Sequence, residues 1–278
     1  VRSFKVLKGV VSFVLLFSSY AFAIKALVTI PPQKEWVKSV GRELVQVEVL
    51  VPAGFDPHSY EPKPSQLKAI EKAEVYFALG AGIEFERLWL GRIRDLNRKL
   101  LIVDLSEGIS LLPGDPHYWC SLVNAYRSLK TIERTLCQLS PKSCGVVKKA
   151  SSVYSGKIYG LHQKLEAETA PYRGRAFLSY HPAWGYWARD YGLRQIVIEE
   201  EGKEPSLKVL LKRLEEARAE GIKVLFITPQ VDRKKAEAVA KELGAEIKVL
   251  DPLREDYLRN MVEVSEEILR SLGKEKGR

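Results

Sequence analysis

Residues 144–169 read CGVVKKASSVYSGKIYGLHQKLEAET. The stretch holds no Pro and only Gly145, Gly156 and Gly160, while Val147, Tyr154, Ile158, Leu161 and Leu165 recur at helical spacing. Pro171 and Gly174 end the pattern. A helix of about 25 residues is ~37 Å long at 1.5 Å per residue. Such a rod is long enough to join two lobes and run along both.

On either side the pattern changes. Short β-like runs fall at 25–30, 45–51, 74–79 and 101–104 before the rod, and at 176–180, 195–198, 223–228 and 246–250 after it. Helix-like pieces lie between them, such as 31–41, the run opening at Pro64, and 207–219, where Leu207, Leu210, Leu211 and Leu214 share one side. Beyond Asp256, Leu258, Val262, Leu269 and Leu272 line a last helical face. Strands alternating with helices predict an α/β protein of two lobes, each a mainly parallel sheet flanked by helices, joined by one long backbone helix. The expected boundaries are 24–143, 144–170 and 171–278.

The 278 residues are 46% hydrophobic and 28% charged, the balance of a globular chain. The formal charge of +9 raises the question of nucleic acid. Its cations are interspersed with Asp and Glu along helices, with no basic block or aromatic stripe, so a nucleic-acid face is not expected. Residues 1–23 read as a cleaved signal peptide: Arg2, Lys5 and Lys8, then the short apolar run 9–17, then Ala21-Phe22-Ala23. A periplasmic or otherwise extracytoplasmic location follows, in which disulfides are allowed. Cys137 and Cys144 flank a short turn and are the candidate pair, worth about 2–3 kcal/mol. Cys120 is left as a buried free thiol.

Three of the four histidines stand in alike surroundings. His58 lies in Asp56-Pro57-His58 and His117 in Asp115-Pro116-His117, while His181 directly follows the run 176–180 and precedes Pro182. Each is at a strand end or in a Pro-containing turn, where open α/β sheets gather their ligands. Asp251 closes the run 246–250 and precedes Pro252 in the same way. Three imidazoles and a carboxylate form a coherent tetrahedral set for Zn²⁺, whereas more carboxylates would favour Mn²⁺. Glu61 or a water could replace Asp251 in that set. Asp56, Glu61 and Asp115 are candidate acceptors for the ring N–H groups. His162, among Gln163, Lys164 and Glu166 in the rod, reads as solvent-facing and not a ligand.

Six segments carry a resemblance: Phe55–Ser65, Asp115–Trp119, Ser179–Tyr186, Asp190–Leu193, Gly202–Ser206 and Asp251–Leu253. In order and spacing they resemble the zinc-binding solute-binding proteins of zinc/manganese ABC importers, from about Ile30 to Leu272. The resemblance implies a metal buried between two lobes, with His58, His117, His181 and Asp251 as ligands. It also implies capture of a divalent ion, Zn²⁺ before Mn²⁺, by a monomer that delivers it to a membrane permease with an ATPase subunit. Two departures stand out: the acidic, His-rich loop of many zinc members is absent, and Cys120-Ser121 follows Trp119 in place of the usual pair. The rival from another class is a secreted zinc-dependent hydrolase with a three-His site, but no His-Glu-x-x-His or Gly-x-Ser-x-Gly motif accompanies it. A manganese- or iron-specific binding protein is the rival within the family. Imidazoles must be neutral to bind, so affinity is expected to fall as pH drops through about 6.5.

Overall fold

The computed structural model describes residues 23–199 and 204–273. The signal-peptide reading, apart from Ala23, and the Gly202-Lys203 part of the resemblance lie outside them. Strands β1 (Ile24–Val28), β2 (Val45–Val49), β3 (Val75–Ala78) and β4 (Leu101–Asp104) form a sheet in the order β2-β1-β3-β4. Strands β5 (Ala176–Ser179), β6 (Arg194–Val197), β7 (Val224–Ile227) and β8 (Glu246–Val249) form a second in the order β6-β5-β7-β8. Every pairing in both is parallel. Of the interior strands, β3, β5 and β7 are buried along their whole length and β1 at all but Lys25, as expected of parallel sheets covered on both faces. All eight sequence runs fall on these strands. Several runs overshoot at the carboxyl end because Leu50, Val51, Leu79 and Ile198, though past the last strand residue, remain fully buried where the chain turns into its loop.

The first lobe carries helices α1 (Pro31–Gly41), α2 (Pro64–Lys72), α3 (Glu84–Leu96) and α4 (Leu122–Leu139). The rod is α5 (Cys144–Thr169), and the second lobe adds α6 (Gly185–Tyr191), α7 (Leu207–Ala219), α8 (Arg233–Leu243) and α9 (Tyr257–Gly273). α5 packs against α1 and α4 of one lobe and against α6 and α9 of the other. Val147, Ala150, Tyr154, Ile158 and Leu165 form its buried stripe. Cys137 and Cys144 are disulfide-bonded across the α4–α5 turn, and Cys120 is free and buried. Among the described residues no helix is long and apolar enough to cross a membrane.

One hydrophobic core runs through both lobes. It takes in Trp36, Trp119, Trp184, Trp187 and Tyr257, with Trp36 and Tyr257 edge to face at 5.1 Å. Separate clusters fill the outer face of each sheet. Swinging the lobes apart would expose tryptophans that each bury about 150–250 Å², so packing resists a wide hinge. The two sheets present the carboxyl ends of their strands to a shared cleft.

Candidate metal centre

Every sequence-predicted histidine of the set reaches that cleft. His58 follows β2, His117 follows β4 and His181 follows β5. One ring nitrogen from each lies within 4.8 Å of the other two, and among the described residues this is the group of three or more metal-type donors that comes together. Ring centroids are 4.9 Å apart for His117 and His181, 5.5 Å for His58 and His117, and 5.6 Å for His58 and His181.

Each ring is held from behind by its own carboxylate. Nδ1 of His58 is 2.6 Å from Glu84 Oε2, that of His117 is 2.7 Å from Asp115 Oδ1, and that of His181 is 2.7 Å from Glu199 Oε2. A carboxylate accepts, so each Nδ1 donates and each neutral ring turns an Nε2 lone pair outward. The outward nitrogens then have a problem that the protein does not solve. His117 Nε2 and His181 Nε2 face each other at 3.1 Å, and His58 Nε2 is buried with no hydrogen-bond partner. Lone pairs so placed repel unless a cation sits among them. Two nitrogens on one tetrahedral Zn²⁺ at about 2.0–2.1 Å stand ~3.3 Å apart, close to the separation found.

The turns are built to hold these rings still. In Asp56-Pro57-His58 the Oδ1 of Asp56 accepts from His58 N at 2.9 Å, and in Asp115-Pro116-His117 the Oδ1 of Asp115 accepts from His117 N at 2.8 Å. The second lobe grips the His117 turn: Tyr186 Oη donates to Asp115 O at 2.7 Å and accepts from Leu112 N at 2.8 Å. Gly185 allows this approach, since a Cβ there would stand 2.7 Å from Asp115 Oδ2. Trp119 Nε1 donates across the lobes to Pro252 O at 2.8 Å, and Tyr257 Oη donates to Trp119 O at 2.8 Å. Ser121 caps α4 and bonds Asp190, so the unusual Cys120-Ser121 pair packs without disturbing His117.

The electrostatics favour a cation. The cleft, about 460 Å³, is lined by Asp56, Glu84, Glu199, Glu204 and Asp232 and, among the described residues, by no Lys or Arg, although the whole chain carries +9. His117 is 3% exposed. Burial drives its pKa down to about 4, against the upward pull of Asp115 and with help from His181. It therefore stays neutral and competent to bind. Burial raises the Glu84 carboxyl, but the hydrogen bond and charge of His58, with a backbone N–H and Arg87, together hold it below the ordinary value.

Other expectations land differently. Asp251 follows β8 but is not in the group of three; its Oδ1 accepts from Leu253 N at 2.8 Å and its backbone O from Asn260 at 2.7 Å. Of the proposed acceptors, Asp115 meets a ring, Asp56 takes the backbone N–H of His58 and the Ser59 hydroxyl but no ring, and Glu61 is exposed and outside the cleft lining. Glu84 and Glu199 were missed. Both lie beyond strand ends that face the cleft, a position that marks them as candidates but does not by itself separate an acid behind a ring from one in water. His162 is half-buried, with Nδ1 3.2 Å from Tyr191 Oη, and lies outside the group.

Two parallel-sheet lobes on a backbone helix, with imidazoles gathered between them, define a two-lobed metal-binding protein. The sequence matches the family described as zinc-uptake complex component A, periplasmic, over residues 27–271, and the chain belongs to that family. It is 26% identical over 253 residues to the high-affinity zinc uptake system protein ZnuA of Bacillus subtilis (strain 168), covering 83% of this chain and 78% of that protein. A crystal structure of ZnuA superposes with a TM-score of 0.86 at 36% identity, covering 90% of this chain and 99% of the other. A ZnuA deletion mutant with zinc bound gives 0.85 at 37%, covering 90% and 98%. The Mn-bound periplasmic metal-binding protein of Candidatus Liberibacter asiaticus shares the fold, with 0.81 at 22%, covering 90% and 99%.

Proposed function

We propose that this protein captures Zn²⁺ outside the cytoplasmic membrane with His58, His117 and His181, and delivers it as a monomer to an ABC permease driven by an ATPase subunit. The observation that carries the reading is the convergence of three Nε2 lone pairs, each fixed by a carboxylate on the opposite ring nitrogen. An all-imidazole donor group favours zinc over manganese, which prefers carboxylate oxygen. The names of the relatives, a zinc uptake protein and a zinc-bound ZnuA, support the same ion. Water or a carboxylate completes the fourth position.

The acids behind the rings support a carrier role over a hydrolytic one. Glu84, Asp115 and Glu199 are each committed to an imidazole N–H, which leaves none of them free to activate water. Export by a cleaved signal peptide belongs to this proposal as well. Elemental analysis of protein purified without chelators, then competition titration of zinc against manganese, tests it. One equivalent of zinc that manganese displaces poorly is the expected result; preference for manganese would refute it.

A further inference from the structure

Glu86, on the first turn of α3, is 6% exposed and bonds no Lys or Arg among the described residues. Its Oε1 accepts from Leu79 N at 2.6 Å, from Tyr76 Oη at 3.2 Å and from Thr29 Oγ1; its Oε2 accepts from Gly80 N at 2.7 Å. Burial pushes its carboxyl up to about 7 even against these donors. An acid buried without a cation is expensive and a poor stability device. What it does fix is the Leu79-Gly80 turn.

Two routes lead from that turn to the metal centre. Along α3, Phe85 N donates to Pro57 O at 3.1 Å and Glu84 meets His58 Nδ1 at 2.6 Å, so the first turn of the helix holds both the backbone and the ring of the His58 loop. Through Leu79, the carbonyl accepts from Tyr118 Oη at 2.8 Å, next to His117. The turn has no second seat: Gly80 has φ +76°, and a Cβ there would lie 2.0 Å from Asp104 Oδ1, while Ala81 N is bonded to Ser106 at 3.1 Å. Among the described residues no comparable chain reaches His181, whose carbonyl is held by Ser179 and Gln195 of its own lobe.

We infer that Glu86 is a positioning residue that holds the two first-lobe histidines in register for the metal while touching neither. The inference rests on His58 and His117 being ligands. Partners behind a ligating imidazole change affinity by about 10–100-fold, and Glu86 stands one step further back. Glu86→Gln keeps the shape but sets an amide donor against a ring of donors, and it should weaken zinc binding about tenfold.

The deciding readout is coupling. With Glu84→Gln, which acts on one of the two rings, the double variant should lose less than the product of the two single losses. With Glu199→Gln in the other lobe, the losses should multiply. In NMR the His58 and His117 imidazole signals of Glu86→Gln should broaden while those of His181 stay sharp. Should Glu86→Gln not fold, Tyr76→Phe removes one donor without changing the ring, with a loss of about threefold and the same coupling pattern. Parent-like affinity, or equal coupling to Glu84 and Glu199, overturns the inference. If His117→Ala bound zinc as the parent does, the ligand reading would be what failed, and this inference would fall with it.

Discussion

The two lobes repeat one strand order and spend its four cleft-facing ends differently. After the second strand in sequence the first lobe places His58 and the second places Glu199; after the fourth, the first places His117 and the second Asp251. After the first strand the roles reverse, with Thr29 and Ile30 in one lobe against Tyr180 and His181 in the other. One lobe thus offers two imidazoles tied by a buried polar network, and the other offers one imidazole and its acid. The lesson is that corresponding strand ends of the two sheets, followed by loops of different length, can deliver a ligand, the group that orients one, or neither. It also makes His181 the sole donor in the group that ties the second lobe to the first.

The largest expected effect tests whether the lobes meet at one ion. Zinc at a thousandfold excess over its dissociation constant stabilises the folded state by about 4 kcal/mol. His117→Ala and His181→Ala should each lose most of that gain in thermal melting, despite lying in different lobes. A His181→Ala variant that melts with zinc as the parent does would mean the first lobe binds alone.

The orienting acids should rank next. Glu84→Gln and Glu199→Gln each keep the size of the side chain but remove the charge behind a ring, for an affinity loss of about 10–100-fold by competition titration. Because the two act on different lobes, their losses should multiply. A loss confined to one of them would show that only that lobe is tuned by its acid.

A smaller effect concerns pH in the metal-free protein. Folded His117 titrates at about 4 because it is buried, well under its ordinary 6.5. A depressed histidine pKa leaves stability intact above about 6.5 and erodes it as pH falls towards 4. Glu86, raised to about 7, works with the opposite sign over its own range from 7 down to the ordinary 4.5. The difference in melting temperature between parent and His117→Gln isolates the histidine. It should shift against the parent between pH 6.5 and 4.5; a flat difference would place His117 in water.

The sequence makes the architecture legible because its apolar pattern is regular: β3 and β7 are apolar throughout, β5 is so up to Ser179, and the rod repeats its stripe from Val147 to Leu165. The three histidines were legible as well, each marked by a proline turn or a strand end. Glu84 and Glu199 were not, since acids abound on this surface and nothing local separates an acid that faces a ring from one that faces water. Glu86 was hidden for a related reason. On a helix between Phe85 and Arg87 it reads as a solvated charge, and only the fold of β1 and β3 around it reveals its burial.

Asp251 shows where motif reading and geometry part. The chain contains three turns of one construction, Asp56-Pro57-His58, Asp115-Pro116-His117 and Asp251-Pro252-Leu253, and in each the aspartate Oδ1 accepts the backbone N–H two residues on, at 2.9, 2.8 and 2.8 Å. In the third, Leu253 stands where the others carry a ligand, and it lines the cleft. Asp251 then acts as a turn builder whose carboxyl burial pushes upward against the help of Leu253 N–H. Asp251→Asn keeps an oxygen for that N–H but is a far poorer zinc donor, so it should bind zinc within about threefold of the parent. Asp251→Ala should cost about 1 kcal/mol of stability through the lost hydrogen bond, with an equally small effect on affinity. If Asp251→Asn instead lost as much affinity as His181→Ala, the carboxylate would have to leave Leu253 and join the imidazoles, and the second lobe would supply two donors, as the first does.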